Sequence, residues 1–144
     1  MLAIRSASAI DKNAIEKLYA VTTGMSLSLS DEEWYRWIDL QGVVIAELAN
    51  QVIGFGGIDV TAREQLRWLY LLPEHQGAGF GSRILQELEQ IAWRNGLQSI
   101  RLHSTPGSVQ FYAKLGYTRV PTHEQFGHDH DGVEMVKFRP DVVS

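Results

Sequence analysis

Apolar side chains along this chain of 144 residues follow two different spacings, and each spacing predicts a different element of secondary structure. Residues 2–6 alternate between apolar and polar side chains, which is typical of a half-buried strand. Residues 11–21 repeat their apolar side chains at the spacing of a helix. A second helix is predicted at residues 30–40, and it begins with a capping box formed by Ser30 and Glu33.

Three strands are predicted next, and the first two of them form a hairpin. Their apolar runs are residues 42–48, 52–61 and 66–72, with a short turn between the first two. A strongly amphipathic helix follows at residues 82–95. Its inward-facing side chains are Ile84, Leu85, Leu88, Ile91 and Ala92.

The remaining elements complete an alternating α/β pattern. A strand is predicted at residues 97–103, a short helix at 108–115, and a closing hairpin from 117–126 and 133–138. The predicted order is β-α-α-β-β-β-α-β-α-β-β, without internal repeats. We therefore expect residues 1–144 to form one α/β domain with a mixed, twisted sheet of about seven strands.

The junction between the strand at 66–72 and the helix at 82–95 has the composition of an anion-binding loop. It contains three glycines in five residues, Gly77, Gly79 and Gly81. Such glycines leave backbone N–H groups accessible, and the helix that follows adds the positive end of its dipole. A P-loop is excluded because no lysine follows Gly81. The dinucleotide fingerprint is excluded because the third glycine comes one residue early and no acidic residue stands about 20 positions further on.

Two motifs stand out at this junction and beyond it: Gln76-x-x-Gly79-x-Gly81 and Phe111-Tyr112-x-x-x-Gly116-Tyr117. Together they resemble the GNAT family of acyl-CoA-dependent N-acetyltransferases. The resemblance is close over residues 66–117 and extends elsewhere only to the order of the elements. It implies the GNAT fold and the transfer of an acetyl group from acetyl-CoA to an amine by direct attack.

The same resemblance implies where acetyl-CoA binds. Its pyrophosphate is expected on the backbone of the glycine loop, and its pantetheine arm beside the backbone of the preceding strand. The implied contact residues are Leu69, Tyr70, Leu71, Gln76, Gly77, Ala78, Gly79, Phe80, Gly81, Ser82, Thr105 and Tyr112. Four cations are open as partners of its 3′-phosphate: Arg83, Arg94, Lys114 and Arg119.

Tyr112 is the implied general acid, because a phenol is protonated at neutral pH and can donate its proton to the leaving sulfur. The general base is less well defined. Many GNAT enzymes use a glutamate at the position where this chain has Gln65, whose amide is not a base. Glu64 is expected to face the opposite side of the strand. The remaining candidates are Asp59, His103 and Glu124, or a water relay with no direct base, and we predict His103 and Glu124 as catalytic.

Residues 128–131 read His-Asp-His-Asp, a spacing that also suits metal ligands, and His123 is a further candidate. A polar hairpin loop is the favoured interpretation, because acetyl transfer to an amine needs no metal, so no metal is predicted. Alternatively, three acidic residues of this region line an amine pocket: Glu124, Asp129 and Asp131. Three aromatic residues would form its wall, although two of them are expected in the core: Trp34, Tyr35 and Trp37.

Composition narrows the class of protein further. Hydrophobic residues make up 44% of the chain and charged residues 21%, as in ordinary globular domains. The chain has no cysteine, which rules out disulfides and a thiolate nucleophile and agrees with a cytoplasmic location. A net charge of −4 without a basic stripe argues against nucleic-acid binding. The apolar runs are far shorter than the ~20 residues that span a membrane, so no membrane partner is expected.

The sequence leaves the acceptor open, since a small-molecule amine and a peptide amine fit equally well, and it leaves a homodimer open too. Two rival functions remain. One is a non-catalytic acyl-CoA-binding or sensor domain, which the missing glutamate base supports. The other is a different nucleotide-binding α/β protein. Thioester release in the presence of amines distinguishes the first rival, and binding of CoA against NAD and ATP distinguishes the second.

Overall fold

A computed structural model describes residues 1–121 and 132–140. Within those ranges the chain forms seven strands and four α-helices, and their order confirms the predicted one. The strands are β1 (Leu2–Ser6), β2 (Val43–Leu48), β3 (Gln51–Ile58), β4 (Leu66–Leu71), β5 (Ser99–Ser104), β6 (Thr118–Arg119) and β7 (Val133–Phe138). The helices are α1 (Lys12–Thr23), α2 (Asp31–Asp39), α3 (Phe80–Arg94) and α4 (Val109–Lys114).

The strands are divided between two hydrogen-bonded sheets. The first has the order β1-β2-β3-β4 and the second the order β5-β7-β6, and neighbouring strands are antiparallel in both. No ladder joins β4 to β5 among the described residues. Just before β4 begins, Gln65 Oε1 accepts a hydrogen bond from the Arg101 backbone N–H of β5 at 2.8 Å. Beyond it, β4 has no hydrogen-bonded strand on this side within residues 1–121 and 132–140.

Helix α3 packs against one face of the first sheet. The five inward residues predicted for it are all buried, with Ile84, Leu88 and Ala92 fully enclosed. The helix lies close to β3 because a glycine occupies the contact. A Cβ on Gly56 would lie 2.7 Å from Leu88 Cδ1 and 2.8 Å from Ile84 Cγ2. Distances this short are not seen between real carbon atoms, so the glycine sets the separation of helix and sheet.

Helices α1 and α2 cover the opposite face of the same sheet. Trp34 and Trp37 of α2 join a second core cluster with Trp68 of β4. The predicted capping box begins α2, since Glu33 N–H donates to Ser30 Oγ at 3.1 Å and Ser30 N–H donates to Glu33 Oε1 at 2.9 Å. The two faces of the first sheet are therefore covered by different helices. The edge of β4 that carries no hydrogen-bonded strand among the described residues faces β5.

Candidate active site

The glycine junction has the backbone geometry that its sequence predicts. Gly77 has φ +87° and Gly79 has φ +84°, values that side chains other than glycine rarely adopt. Gly79 is also the N-cap of α3, which begins two residues earlier than the apolar pattern predicts. Among the described residues, the backbone N–H groups of Gly79 and Gly81 have no hydrogen-bond acceptor. They remain free for an anion at the positive end of the helix.

A groove of about 670 Å³ runs from this junction along β4 to α4. Its lining residues come from the strand, the glycine loop, the segment before α4 and α4 itself: Leu69, Tyr70, Leu71, Gln76, Gly77, Gly79, Gly81, Ser82, Gly107, Ser108, Phe111, Tyr112, Lys114 and Leu115. Nine of the predicted acetyl-CoA contacts are among them. Lys114 is the one candidate for the 3′-phosphate that lines this groove within the described ranges.

Three predicted contacts do not line the groove. Phe80 packs against the core of the first sheet, and Ala78 stands exposed between two glycines. Thr105 lines a neighbouring cavity instead, and its hydroxyl donates to Ser108 Oγ at 3.2 Å. In the glycine loop, Gly77, Gly79 and Gly81 line the groove and the two residues between them do not. The loop therefore presents backbone groups to the groove at these three positions.

That neighbouring cavity has a volume of about 150 Å³ and adjoins the groove. Leu69, Tyr70, Ser108 and Tyr112 line both spaces. The remaining wall of the small cavity comes from β4, β5 and the segment after β5: Leu66, Arg67, Trp68, His103, Ser104 and Thr105. Two of the three predicted catalytic residues, Tyr112 and His103, thus line one cavity. The third, Glu124, lies outside the described residues.

Tyr112 stands at the boundary between the groove and the small cavity, with 9% of its surface exposed. Burial, with a smaller contribution from Tyr70, raises the pKa of its phenol to about 12. The Tyr112 ring is held edge-on against Tyr117, with 5.7 Å between ring centroids. Its hydroxyl makes no hydrogen bond to any described residue, so its proton is available to a bound molecule.

Asp59, one of the candidate bases, is committed to other contacts. Its carboxylate accepts from the Thr61 hydroxyl at 2.6 Å and pairs with Arg36 at 3.1 Å. Burial opposes the ionisation of Asp59, but the hydrogen bonds from Thr61 and Arg36 outweigh it and hold the pKa of the carboxyl below its usual value. Asp59 also does not line the small cavity. It is therefore poorly suited to accept a proton there.

His103 is paired with Glu64, which was not predicted from the sequence as a site residue. His103 Nδ1 lies 2.5 Å from Glu64 Oε2. The expectation that Glu64 faces away from the site was wrong, because it assumed the side-chain alternation of a strand and β4 begins only at Leu66. Gln65, the residue after Glu64, instead joins the two sheets through the Arg101 backbone N–H.

A second acidic residue, Glu134 of β7, lies beside this pair and was not predicted. Its side chain is fully buried, and Oε2 accepts from Arg101 Nη1 at 2.9 Å. Arg63 Nη1 lies 3.6 Å from the same oxygen. The sequence signal was an acidic residue among the apolar positions of a strand, and such a residue is rarely buried unless it is paired.

Ligand atoms of Glu64, His103 and Glu134 lie within 4.8 Å of one another, a spacing that also suits a metal ion. Two guanidinium groups already balance the two carboxylates, so the cluster is an ion-pair network without excess negative charge. The predicted metal alternative, at His123 and residues 128–131, lies outside the described residues. So does the acidic amine pocket that includes Asp129 and Asp131.

The proposed aromatic wall divides as expected, with two of its three members in the core. Trp34 is 2% exposed and Trp37 is 7% exposed, whereas Tyr35 is 55% exposed. Trp34 also donates its indole N–H to the Ala9 carbonyl at 2.9 Å. These two tryptophans therefore hold α2 to the sheet and do not face an acceptor.

A comparison with known families identifies the chain. Residues 39–119, more than half of it, match the model of the acetyltransferase (GNAT) domain. The chain belongs to the GNAT acetyltransferase family. It is 31% identical over 103 residues to mycothiol acetyltransferase of Streptomyces griseus, a match that covers 67% of this chain and 32% of that protein. The chain thus spans about a third of the length of this relative.

Solved structures confirm the GNAT fold. N-acetylglutamate synthase from Neisseria gonorrhoeae, in complex with coenzyme A and N-acetyl-glutamate, superposes with a TM-score of 0.77 at 20% identity, covering 96% of this chain and 35% of that one. PaiA N-acetyltransferase from Thermoplasma acidophilum, in complex with coenzyme A, gives a TM-score of 0.73 at 21% identity, covering 96% and 99%. In the described part of this GNAT chain, no helix has the length and apolar character needed to cross a membrane.

Proposed function

We propose that this GNAT domain transfers an acetyl group from acetyl-CoA to a primary amine by direct attack, without an acyl-enzyme. The observation that carries the proposal is the meeting of two spaces at Tyr112. The long groove suits the donor, and the small cavity with His103 suits the acceptor. An acid and a candidate base thus flank the point where donor and acceptor would meet.

Donor binding draws on the glycine junction and on β4. The free N–H groups of Gly79 and Gly81, at the start of α3, suit the pyrophosphate. Among the described residues no strand is hydrogen-bonded to β4 on the side of β5, so the amides of the pantetheine arm can pair with its backbone near Leu69 as an added strand would. Lys114 supplies a cation at the other wall of the groove.

The chemical step needs two proton transfers around one attack. The neutral amine nitrogen bonds to the thioester carbonyl carbon, and a tetrahedral intermediate forms. His103 takes the proton from the amine nitrogen, the carbon–sulfur bond breaks, and the Tyr112 phenol protonates the departing thiolate. Because burial holds the pKa of Tyr112 at about 12, the phenol stays protonated across the working pH range. The chain has no cysteine, so no acyl-enzyme can form on sulfur.

Tyr112→Phe tests the proposal at its centre. Removing the hydroxyl should lower kcat by about 100-fold, in the usual range for general acid catalysis, and leave the KM for acetyl-CoA within about threefold. The fold should be unaffected, because this hydroxyl has no partner among the described residues. CoA release in the presence of a panel of primary amines measures turnover, and Tyr35→Phe, at an exposed tyrosine, is the matched control.

Unchanged turnover in Tyr112→Phe would remove this residue from the mechanism. Binding of acetyl-CoA by the wild type without CoA release for any amine would favour the non-catalytic acyl-CoA-binding alternative.

A further inference from the structure

Glu64 and His103 form a close pair at the wall of the small cavity. The 2.5 Å contact joins Glu64 Oε2 to His103 Nδ1, and both side chains are about three-quarters buried, with 29% and 27% exposed. His103 lines the cavity together with Tyr112. The pair therefore lies at the edge of the space assigned to the acceptor.

The chemistry of the two groups determines where the histidine proton lies. An ionised carboxylate can only accept a hydrogen bond, so Nδ1 of His103 must carry a hydrogen in this contact. In a neutral imidazole the other nitrogen, Nε2, is then the one with a free lone pair. Only a histidine in that tautomer can take a proton through Nε2, the nitrogen that the carboxylate does not occupy.

The turn that carries Glu64 is held in place from both ends. Gln65 Oε1 accepts from the Arg101 N–H of β5 at 2.8 Å, and Gln65 Nε2 donates to the Ala62 carbonyl at 2.9 Å. The Gln65 carbonyl accepts from the Asp59 N–H at 2.8 Å. These bonds tie the segment between β3 and β4 to the strand that bears His103, so the backbone at Glu64 is held in place relative to the imidazole.

Glu134 and two arginines complete the surroundings of the pair. Arg101 Nη1 is 2.9 Å from Glu134 Oε2. Arg63 lies near both carboxylates, at 3.6 Å from Glu134 and 3.7 Å from Glu64. The shortest contact of the Glu64 carboxylate is therefore with the imidazole and not with a guanidinium. Glu134 stands opposite His103 on the paired strand β7, and its ion pair with Arg101 balances its charge.

We propose that Glu64 is the positioning residue of the active site: it holds His103 in the Nδ1–H tautomer, so that Nε2 accepts the proton of the acceptor amine. This inference rests on the proposed role of His103 as the general base. Gln65 clamps the turn to β5, and its neighbour Glu64 acts on the imidazole.

The first test needs no acceptor. Long-range proton–nitrogen NMR spectra of the full chain, labelled with ¹⁵N-histidine, report which ring nitrogen is protonated, and His103→Gln identifies the signals by their loss. At a pH where the ring is neutral, wild type and Glu87→Gln should both show Nδ1–H, whereas Glu64→Ala should shift the population towards Nε2–H. Glu87 is a suitable control because it is exposed on α3. An Nε2–H tautomer in the wild type would overturn the proposal. So would a tautomer population in Glu64→Ala that is unchanged from the wild type.

The second test measures catalysis by CoA release from acetyl-CoA with a panel of primary amines. Glu64→Ala should lower kcat at least about 10-fold with little change in the KM for acetyl-CoA, since it impairs proton transfer and leaves the donor groove intact. Glu64→Gln keeps the shape of the side chain and guards against a loss of folding. Wild-type turnover in both Glu64 variants, with a large loss in His103→Gln, would refute positioning while leaving His103 as the base. Wild-type turnover in His103→Gln would instead refute the base assignment itself.

Discussion

Single residues in this protein acquire their chemistry from what surrounds them. Tyr112 has an ordinary phenol, and burial makes it a weaker acid with a pKa of about 12 and no competing hydrogen bond among the described residues. His103 stands at the end of a strand that the sequence predicts, and in the structure Glu64 gives it a defined partner. Glu134 is an acidic residue within a mostly apolar strand, and its pairing with Arg101 permits its burial. In each case the neighbour, and not the residue type, decides what the side chain can do.

Asp11 provides a test of this principle away from the active site. Its carboxylate receives two hydrogen bonds from Arg5, both at 2.9 Å, and a third from the Ser8 N–H at 2.8 Å. The Arg5 guanidinium holds the pKa of this carboxyl below its usual value, with burial opposing it. Asp11→Asn should therefore lower the free energy of unfolding by about 2 kcal/mol at pH 7.

The pH dependence of that effect has a definite sign. A carboxyl whose pKa is lower in the folded state stabilises the fold above its unfolded pKa of about 3.9, and the contribution is lost as pH falls through the folded value. The difference between wild type and Asp11→Asn should therefore narrow below about pH 4, as measured by urea denaturation. Asp39→Asn, at an exposed position, is the matched control. A pH-independent difference would mean that the carboxylate charge is not responsible.

At the scale of elements, the junction of β4 and α3 is the feature that most closely links fold and ligand. The strand brings its open backbone to the groove, a turn containing two glycines of positive φ reverses the chain, and the helix begins with free N–H groups. α3 is also the helix that packs on the sheet through Gly56. The packing that orients the helix therefore also aims its positive end at the groove.

Gly79→Glu tests the junction as a binding element. The new side chain has open space, with no heavy atom within 4 Å of the added Cβ, but φ +84° strains any residue other than glycine by about 1–2 kcal/mol. The added carboxylate also repels a phosphate. Affinity for acetyl-CoA, measured by calorimetry, should fall at least about 10-fold.

Gly24→Ala separates backbone strain from the loss of the anion site. Gly24 has φ +73° at the C-terminus of α1 and likewise faces open space, so this variant should lose stability to a similar degree. It should bind acetyl-CoA like the wild type, because Gly24 does not line the groove. Wild-type affinity in Gly79→Glu would contradict the cradle assignment.

At the scale of the whole molecule, the gap between β4 and β5 creates the site. The two sheets are separate ladders, and the Gln65–Arg101 hydrogen bond joins them at the end opposite the glycine junction. The Tyr117 hydroxyl donates to Glu89 at 2.9 Å, and Lys137 pairs with the same carboxylate at 3.2 Å, so α3 is also tied to the second sheet. Both the groove and the small cavity depend on how these sheets are held apart.

Gln65→Leu tests the clamp between the sheets. Leucine is similar in size but cannot accept the Arg101 N–H, and a part-buried donor without a partner costs about 1–3 kcal/mol. Chemical denaturation should register that loss, whereas Gln90→Leu, at an exposed position on α3, should change stability by less than about 0.5 kcal/mol. Equal stability of the two variants would show that the bond does not hold the sheets together.

Much of the fold was predictable because its signals are local. The order of the elements, the capping box at Ser30, and the burial of Trp34 and Trp37 follow from spacing and side-chain type. The predicted ends of elements were less accurate. β3 ends at Ile58, not at residue 61, and α3 begins at Phe80, not at residue 82, because Gly79 of the glycine turn is its N-cap. The single sheet expected from the pattern is divided into two, since strand periodicity carries no information about which strands pair.

The sequence by itself determined the family, the order of the elements and the loop suited to the donor's phosphates, because each depends on neighbours within a few residues along the chain. Only the tertiary structure decided which side chains surround the proposed reaction. Glu64 and His103 are 39 positions apart, and Arg101 and Glu134 are 33 apart. Such pairs form only when the turn before β4 is fastened to β5 and β7 lies beside β5. Periodicity reveals which face of an element is buried, but the contact between two distant polar groups is a property of how the sheets are assembled.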